Sequence, residues 1–217
     1  MSRRQPLESA MFFLAVAGAM SWLAYAAGDS LPQALLPLYR RELQWLMDGF
    51  RVDYLDLQEQ GGETVLMMQA TLQAPLVIMG RILPAGGSVG ASTLAMHAWA
   101  HPVLLFSLLA AWPGVPLGQK PRLLLIGVPW VLLAESIDIP LVLWGSVEDI
   151  LYWQVDPAMT NPPPGSAVQH ALDGGGRYGM TILFSLFAVM MHQSLPAGTR
   201  AIHEPAADIR MARAVSR

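Results

Sequence analysis

Residues 123–144 read LLLIGVPWVLLAESIDIPLVLW, an apolar run interrupted by two acids, Glu135 and Asp138. An ionisable side chain inside a bilayer-crossing segment is costly and as a rule faces protein or water rather than lipid. Three residues apart, the two carboxylates share one face of a helix. The fold reading turns on what that face meets.

The surrounding composition supports a membrane context. Of 217 residues, 53% are hydrophobic and 13% charged, against about 25% charged in soluble domains. The absence of cysteine excludes disulfides, thiolate catalysis and Cys-ligated zinc. A net charge of −3 offers no basic surface for nucleic acid.

Four apolar stretches have the ~20 residues needed to cross a bilayer: 9–27, 93–112, 122–144 and 176–195. The first also resembles a secretory signal, with Arg3 and Arg4 before it and Ala24, Ala26 and Ala27 near its end. Its length and the three later apolar segments favour a retained helix. Lys and Arg placement orients the chain. Arg3, Arg4, Lys120, Arg122, Arg200, Arg210, Arg213 and Arg217 fall on one side. Segments 28–92 and 145–175 fall on the other, with eleven acidic residues against four arginines. The expected fold is therefore membrane α-helical. It has four transmembrane helices, both termini cytoplasmic, and a small extracytoplasmic α+β insert between helices 1 and 2. Its parts are a first helix over 1–27, the insert over 28–92, a three-helix region over 93–195 and a flexible cytoplasmic tail over 196–217.

Within the insert, 32–49 carries Leu35, Leu38, Leu43, Leu46 and Met47 near helical spacing. It reads as an amphipathic helix lying on the membrane or packing on the rest of the insert. Two extended runs then flank Gly61-Gly62, a β-hairpin signal. A lone hairpin is marginal in water, so the insert leans on the membrane region or on a partner, which its open edge could engage by strand addition.

The orientation brings five polar side chains to one level. His97 and His101 lie early in the second span, Glu135 and Asp138 late in the third, and Arg177 at the start of the fourth. Three chemistries fit the set. It could be an ion-pair cluster holding the bundle together. Two histidines at i and i+4 with two carboxylates could bind a divalent cation. Histidine beside buried carboxylates could carry protons. The glycine run before Arg177 serves as a tight turn or as a helix start that receives an anion. His192 reads as an interfacial residue, Trp22, Trp99, Trp112, Trp144 and Trp153 as an aromatic belt, and Pro162–Pro164 as a stiff loop.

One span, an extracytoplasmic β-rich insert and further spans, with the stretches ASTLAMHAWAHP (91–102), ESIDIPLVLWGSVEDI (135–150) and LDGGGRYGM (172–180), resemble small membrane proteins that accompany exosortases. Exosortases are transpeptidase-like envelope enzymes that rely on Cys, Arg and His. Without cysteine, this chain cannot work by that mechanism. The resemblance implies an accessory role in handling envelope proteins or polysaccharides. The expected function is an inner-membrane accessory or scaffold subunit of a bacterial envelope, export or processing system. Its partners are the lipid bilayer and another envelope protein, and it needs no cofactor. The alternative is an intramembrane metal-dependent or acid–base enzyme acting on a lipid-linked substrate. His97, His101, Glu135 and Asp138 would then be ligands or proton carriers, and Arg177 would hold an anion.

Overall fold

The computed structural model describes residues 5–157 and 161–195. In chain order it contains α1 (Gln5–Ala27), α2 (Ser30–Leu46), β1 (Phe50–Gln60), β2 (Glu63–Leu72), β3 (Leu76–Ile78), β4 (Arg81–Leu83), β5 (Ser88–Leu94), α3 (His97–Ala111), α4 (Lys120–Val155), α5 (Pro164–Ala171) and α6 (Arg177–Ser194). The basic N-terminal residues and the tail after Leu195, including its expected flexibility, lie outside the described residues.

The expectation of four transmembrane helices is overturned. Two of the described helical stretches are long and apolar enough to cross a bilayer, Ser9–Ala27 and Leu117–Val155. The apolar run expected as a second span loses its first residues to β5, which holds Ser92, Thr93 and Leu94 in a sheet, so α3 keeps only 15 residues. The α6 helix has 18 residues but carries Arg177, Thr181, Ser185 and His192 on its buried side. The run expected to stop at Trp144 continues as helix to Val155, passing through Pro129 and Pro140. At 1.5 Å per residue its 36 residues extend about 54 Å.

That long helix is the axis of the molecule. Its first half packs with α3 and α6, and α1 lies along α3. The second half packs against α2, β5 and α5. One apolar core (Leu105, Leu109, Leu123, Val131, Ala134 and Phe184 among others) fills the first half. A second core joins Leu35, Tyr39, Leu43 and Met47 of α2 to Val52, Leu66 and Met68 of the sheet and to Ile139, Leu143 and Val147 of α4. The insert is thus not a free-standing module, because one face of α4 completes its core.

The sheet has the order β1-β2-β5, antiparallel throughout. The Gly61-Gly62 hairpin forms as expected: Gln60 pairs with Glu63, and both glycines have positive φ, at 65° and 87°. That conformation suits a two-residue turn matched to strand twist. The hairpin is not alone, since β5 adds a third strand. The outer edge of β1 carries a bulge at Asp53, and the Asp56 side chain accepts from the Leu57 N–H. Bulges and edge charges of this kind blunt an edge against pairing. The β5 strand packs against α4. A separate hairpin, β3–β4, projects from the Leu72/Ser88 end of the sheet.

Between α4 and α6 the chain turns back along α4. The amide of Gly165 donates to Glu148 Oε2 at 2.8 Å, and Ser166 Oγ donates to Asp149 Oδ1 at 2.9 Å. Glu148 thereby satisfies one N–H of the first turn of α5, where such groups have no intrahelical acceptor, and Asp149 holds the Ser166 hydroxyl. Leu172–Gly176 then forms a kink, with Gly175 at φ 112°, that delivers Arg177 to the start of α6.

Candidate functional site

The centre of the helical half holds His101, Asp138, Arg177 and Thr181, all buried. His101 Nε2 lies 3.1 Å from Asp138 Oδ2, and its Nδ1 lies 2.6 Å from Thr181 Oγ1. Arg177 Nε approaches the same Asp138 oxygen to 2.8 Å, as an ion pair rather than an aligned hydrogen bond. The Arg177 Nη2 group also reaches Asp173 Oδ1 at 3.3 Å, one helical turn earlier. The Thr181 hydroxyl donates to the Arg177 carbonyl at 2.9 Å. Its single hydrogen is then committed, so Thr181 Oγ1 faces His101 Nδ1 as an acceptor.

Glu135 and Asp138 share the interior but have different partners. Glu135 receives the phenol of Tyr39, whose Oη donates to Oε2 at 2.7 Å across 96 residues of sequence. Both side chains are fully buried. Burial, and then the nearby Glu135 carboxylate, hold the Tyr39 phenol well above the ordinary tyrosine range. One carboxylate therefore ties α6 to α4 through Asp138, and the other ties α2 to α4 through Glu135. Glu135 Oε1 and Asp138 Oδ1 have no hydrogen-bond partner among the described residues.

Of the five residues expected to converge, His101, Asp138 and Arg177 do meet. Glu135 is turned to Tyr39. His97 sits at the first position of α3, where its Nδ1 lies 3.1 Å from Thr93 Oγ1 of β5. Among the described residues no three His, Cys, Asp or Glu side chains are grouped so as to hold a metal ion. His97 and His101 share a helix, but each is directed to a different hydroxyl. At the end of the glycine run, Arg177 is engaged by Asp138 and Asp173.

Tyr39 and Thr181 are absent from that five-residue set, although spacing marks both. Leu35, Tyr39, Leu43 and Met47 recur at every fourth position and are all buried. Arg177, Thr181 and Ser185 do the same on α6, with Ser185 Oγ donating to the Thr181 carbonyl at 2.8 Å. His192 closes that face, its Nε2 lying 3.4 Å from Gln119 Oε1 at the opposite end of the axis from the sheet. The tryptophans divide. Trp22 and Trp153 are exposed, Trp99 donates to the Gly28 carbonyl at 2.9 Å, and Trp144 packs on the sheet-side core rather than at a helix end.

No family model, curated protein or solved structure matches the chain.

Proposed function

We propose that the chain is an accessory or scaffold subunit embedded in a bacterial inner membrane by its helical half. Its sheet-bearing half, on the periplasmic side, holds a partner in an envelope assembly or an export or processing system. The observation that carries this reading is the state of the polar groups. His101, Asp138, Arg177 and Thr181 are buried and pair with one another, as do Tyr39 and Glu135, with one oxygen of each carboxylate unbonded among the described residues. Groups that act on a substrate need a route to it, whereas buried ions whose partners come from different helices fix how those helices pack. The helical half supports the membrane placement. Met11, Leu14, Trp22, Leu125, Leu132, Ile182, Phe187 and Met190 are exposed there. An apolar surface of that kind is a membrane or partner contact and not a solvated one. The acid excess of 28–92 and 145–175, against Lys120 and Arg122 at the start of α4, supports the orientation.

Fractionation and then mild-detergent purification test the proposal. The chain should remain with inner membranes through high-salt and alkaline washes, then co-elute with a second envelope protein in fixed stoichiometry. Release by the washes, or recovery of the chain alone at every expression level, overturns it.

A further inference from the structure

The first turn of α4 carries positive charge that no acid balances among the described residues. Arg122 is exposed and forms no ion pair there. Lys120 Nζ donates to the Trp112 carbonyl at 2.6 Å, which ties down the loop before α4 and leaves its other hydrogens uncommitted. Residues 96–134 and 178–195, which supply the neighbouring parts of α3, α4 and α6, contain neither Asp nor Glu. The one acid of α1 is Glu8, and α1 lies along α3. Gln119, the cap residue of α4, makes no side-chain bond to the helix, and no acid stands in the first turn. The positive end of a 36-residue helix dipole is therefore unanswered. Beside it, His192 brings its Nε2 to 3.4 Å from Gln119 Oε1. The ring is only 7% exposed, and its Nδ1 has no hydrogen-bond partner among the described residues. Most polar atoms buried to that degree have one.

The surface next to these charges is apolar and open. Arg122, Leu125, Pro129 and Leu133 follow one another at helical spacing on one side of α4, and all four are exposed. Leu117, just before the helix, is 73% exposed and Leu125 is 71% exposed. The stretch long enough to cross a bilayer begins at Leu117. On the proposed placement, Lys120 and Arg122 therefore stand where the hydrocarbon ends, on the cytoplasmic side. Anionic lipids give that leaflet a negative surface, and basic pockets between helices bind their head groups. A free anion would answer the charges but leave the leucines bare. A phospholipid answers both, with its phosphate at the helix start and an acyl chain along the stripe.

We propose that the first turn of α4, with Lys120 and Arg122 beside His192, binds the phosphate of an anionic phospholipid of the cytoplasmic leaflet, whose acyl chain lies along Leu125 and Leu133. This rests on the reading of the helical half as membrane-embedded, and it names a lipid class and the residues that select it. A helix start offers backbone N–H groups and a favourable dipole to a phosphate. An arginine adds a planar fork of donors that matches phosphate oxygens.

The test places the full chain in nanodiscs of mixed phosphatidylcholine and phosphatidylglycerol, ejects it, and counts the lipids it retains by native mass spectrometry. Wild type should keep phosphatidylglycerol over phosphatidylcholine by about tenfold relative to their ratio in the disc. Arg122→Gln should remove most of that preference. Arg122 is exposed and unpaired, so an unchanged melting temperature in phosphatidylcholine discs checks that the variant is folded. Arg40→Gln/Arg41→Gln removes exposed charge from α2 and should leave the preference intact. Adding phosphatidylglycerol to phosphatidylcholine discs should raise the melting temperature of wild type, and inorganic phosphate should not. Equal retention of the two lipids, a preference untouched by Arg122→Gln, an equal loss in the Arg40/Arg41 variant, or an equal shift from inorganic phosphate overturns the proposal. If the chain stays with inner membranes through the washes but shows no lipid preference, this inference falls and the membrane reading stands. If the washes release it, both fall.

Discussion

Arg177 Nε stands 2.8 Å from Asp138 Oδ2, joining the first turn of α6 to the middle of α4 where both side chains are withdrawn from solvent. Removing one partner of a buried pair is worse than never having built it, since the remaining charge stays desolvated. Arg177→Met should therefore lower stability by about 3–5 kcal/mol. Arg177→Met/Asp138→Asn should lose less than the single change. Thermal unfolding of the detergent-purified variants, with cellular abundance beside it, is the measurement. A stable, abundant Arg177→Met protein would contradict the structural role given to the pair.

The Tyr39–Glu135 bond makes the same kind of tie between α2 and α4. Tyr39→Phe leaves Glu135 with neither oxygen partnered, at a cost of about 1–3 kcal/mol. Tyr39→Phe/Glu135→Leu removes both polar groups and should recover part of it. The tyrosine also predicts an alkaline effect. Its folded pKa is raised above the ordinary 10.0, so its stabilisation is complete below that value and is lost as pH rises beyond it. Wild type should lose stability above about pH 10 more steeply than Tyr39→Phe. Parallel alkaline limbs in the two proteins would refute the assignment.

The depth of Glu135 and Asp138 was legible because two acids in an apolar run leave few physical choices. The Gly61-Gly62 hairpin was legible because positive φ at both turn residues favours glycine. The full partner set was not. Helical phase shows that Arg177, Thr181 and Ser185 share a face, but which acid that face meets depends on the kink at Gly175. The third strand was hidden because Val89, Ala91 and Thr93 alternate over a short run that merges into the apolar start of α3. The length of α4 was hidden because Glu148 and Asp149 read as loop acids, whereas Glu148 accepts from the Gly165 amide and Asp149 from the Ser166 hydroxyl.

The exposed sheet face predicts an acid effect. Asp53 accepts from the Thr71 hydroxyl on the neighbouring strand and from Arg51, and those bonds hold its carboxyl below the usual 3.8. A depressed carboxylate stabilises above its unfolded pKa, and the contribution disappears as pH falls through the folded value. Thr71→Val should therefore lower stability modestly at neutral pH and shallow the loss below about pH 4, where the two proteins converge. Stability measured from pH 6 downward on both proteins reads this directly. Superimposable acid limbs would remove Asp53 from the account.

The contact between α4 and α5 depends on two missing side chains. A Cβ on Gly145 would collide with the carbonyl oxygen of Gly165, which is backbone and cannot rotate away. A Cβ on Gly165 would meet Glu148 Oε2 at 2.7 Å and the Trp144 ring at 2.9 Å. Gly174 has open space and no positive φ, so it is the control. Gly145→Ala should cost about 1–3 kcal/mol through forced displacement of α5, and Gly174→Ala close to nothing. Because the chain has no cysteine, the displacement can be read with a Ser166→Cys/Asp149→Cys pair, whose wild-type side chains hydrogen-bond at 2.9 Å. Oxidation should close that disulfide readily in the otherwise native chain and in Gly174→Ala, and poorly in Gly145→Ala. Equal closure in all three would mean that α5 holds its place without the glycine contact.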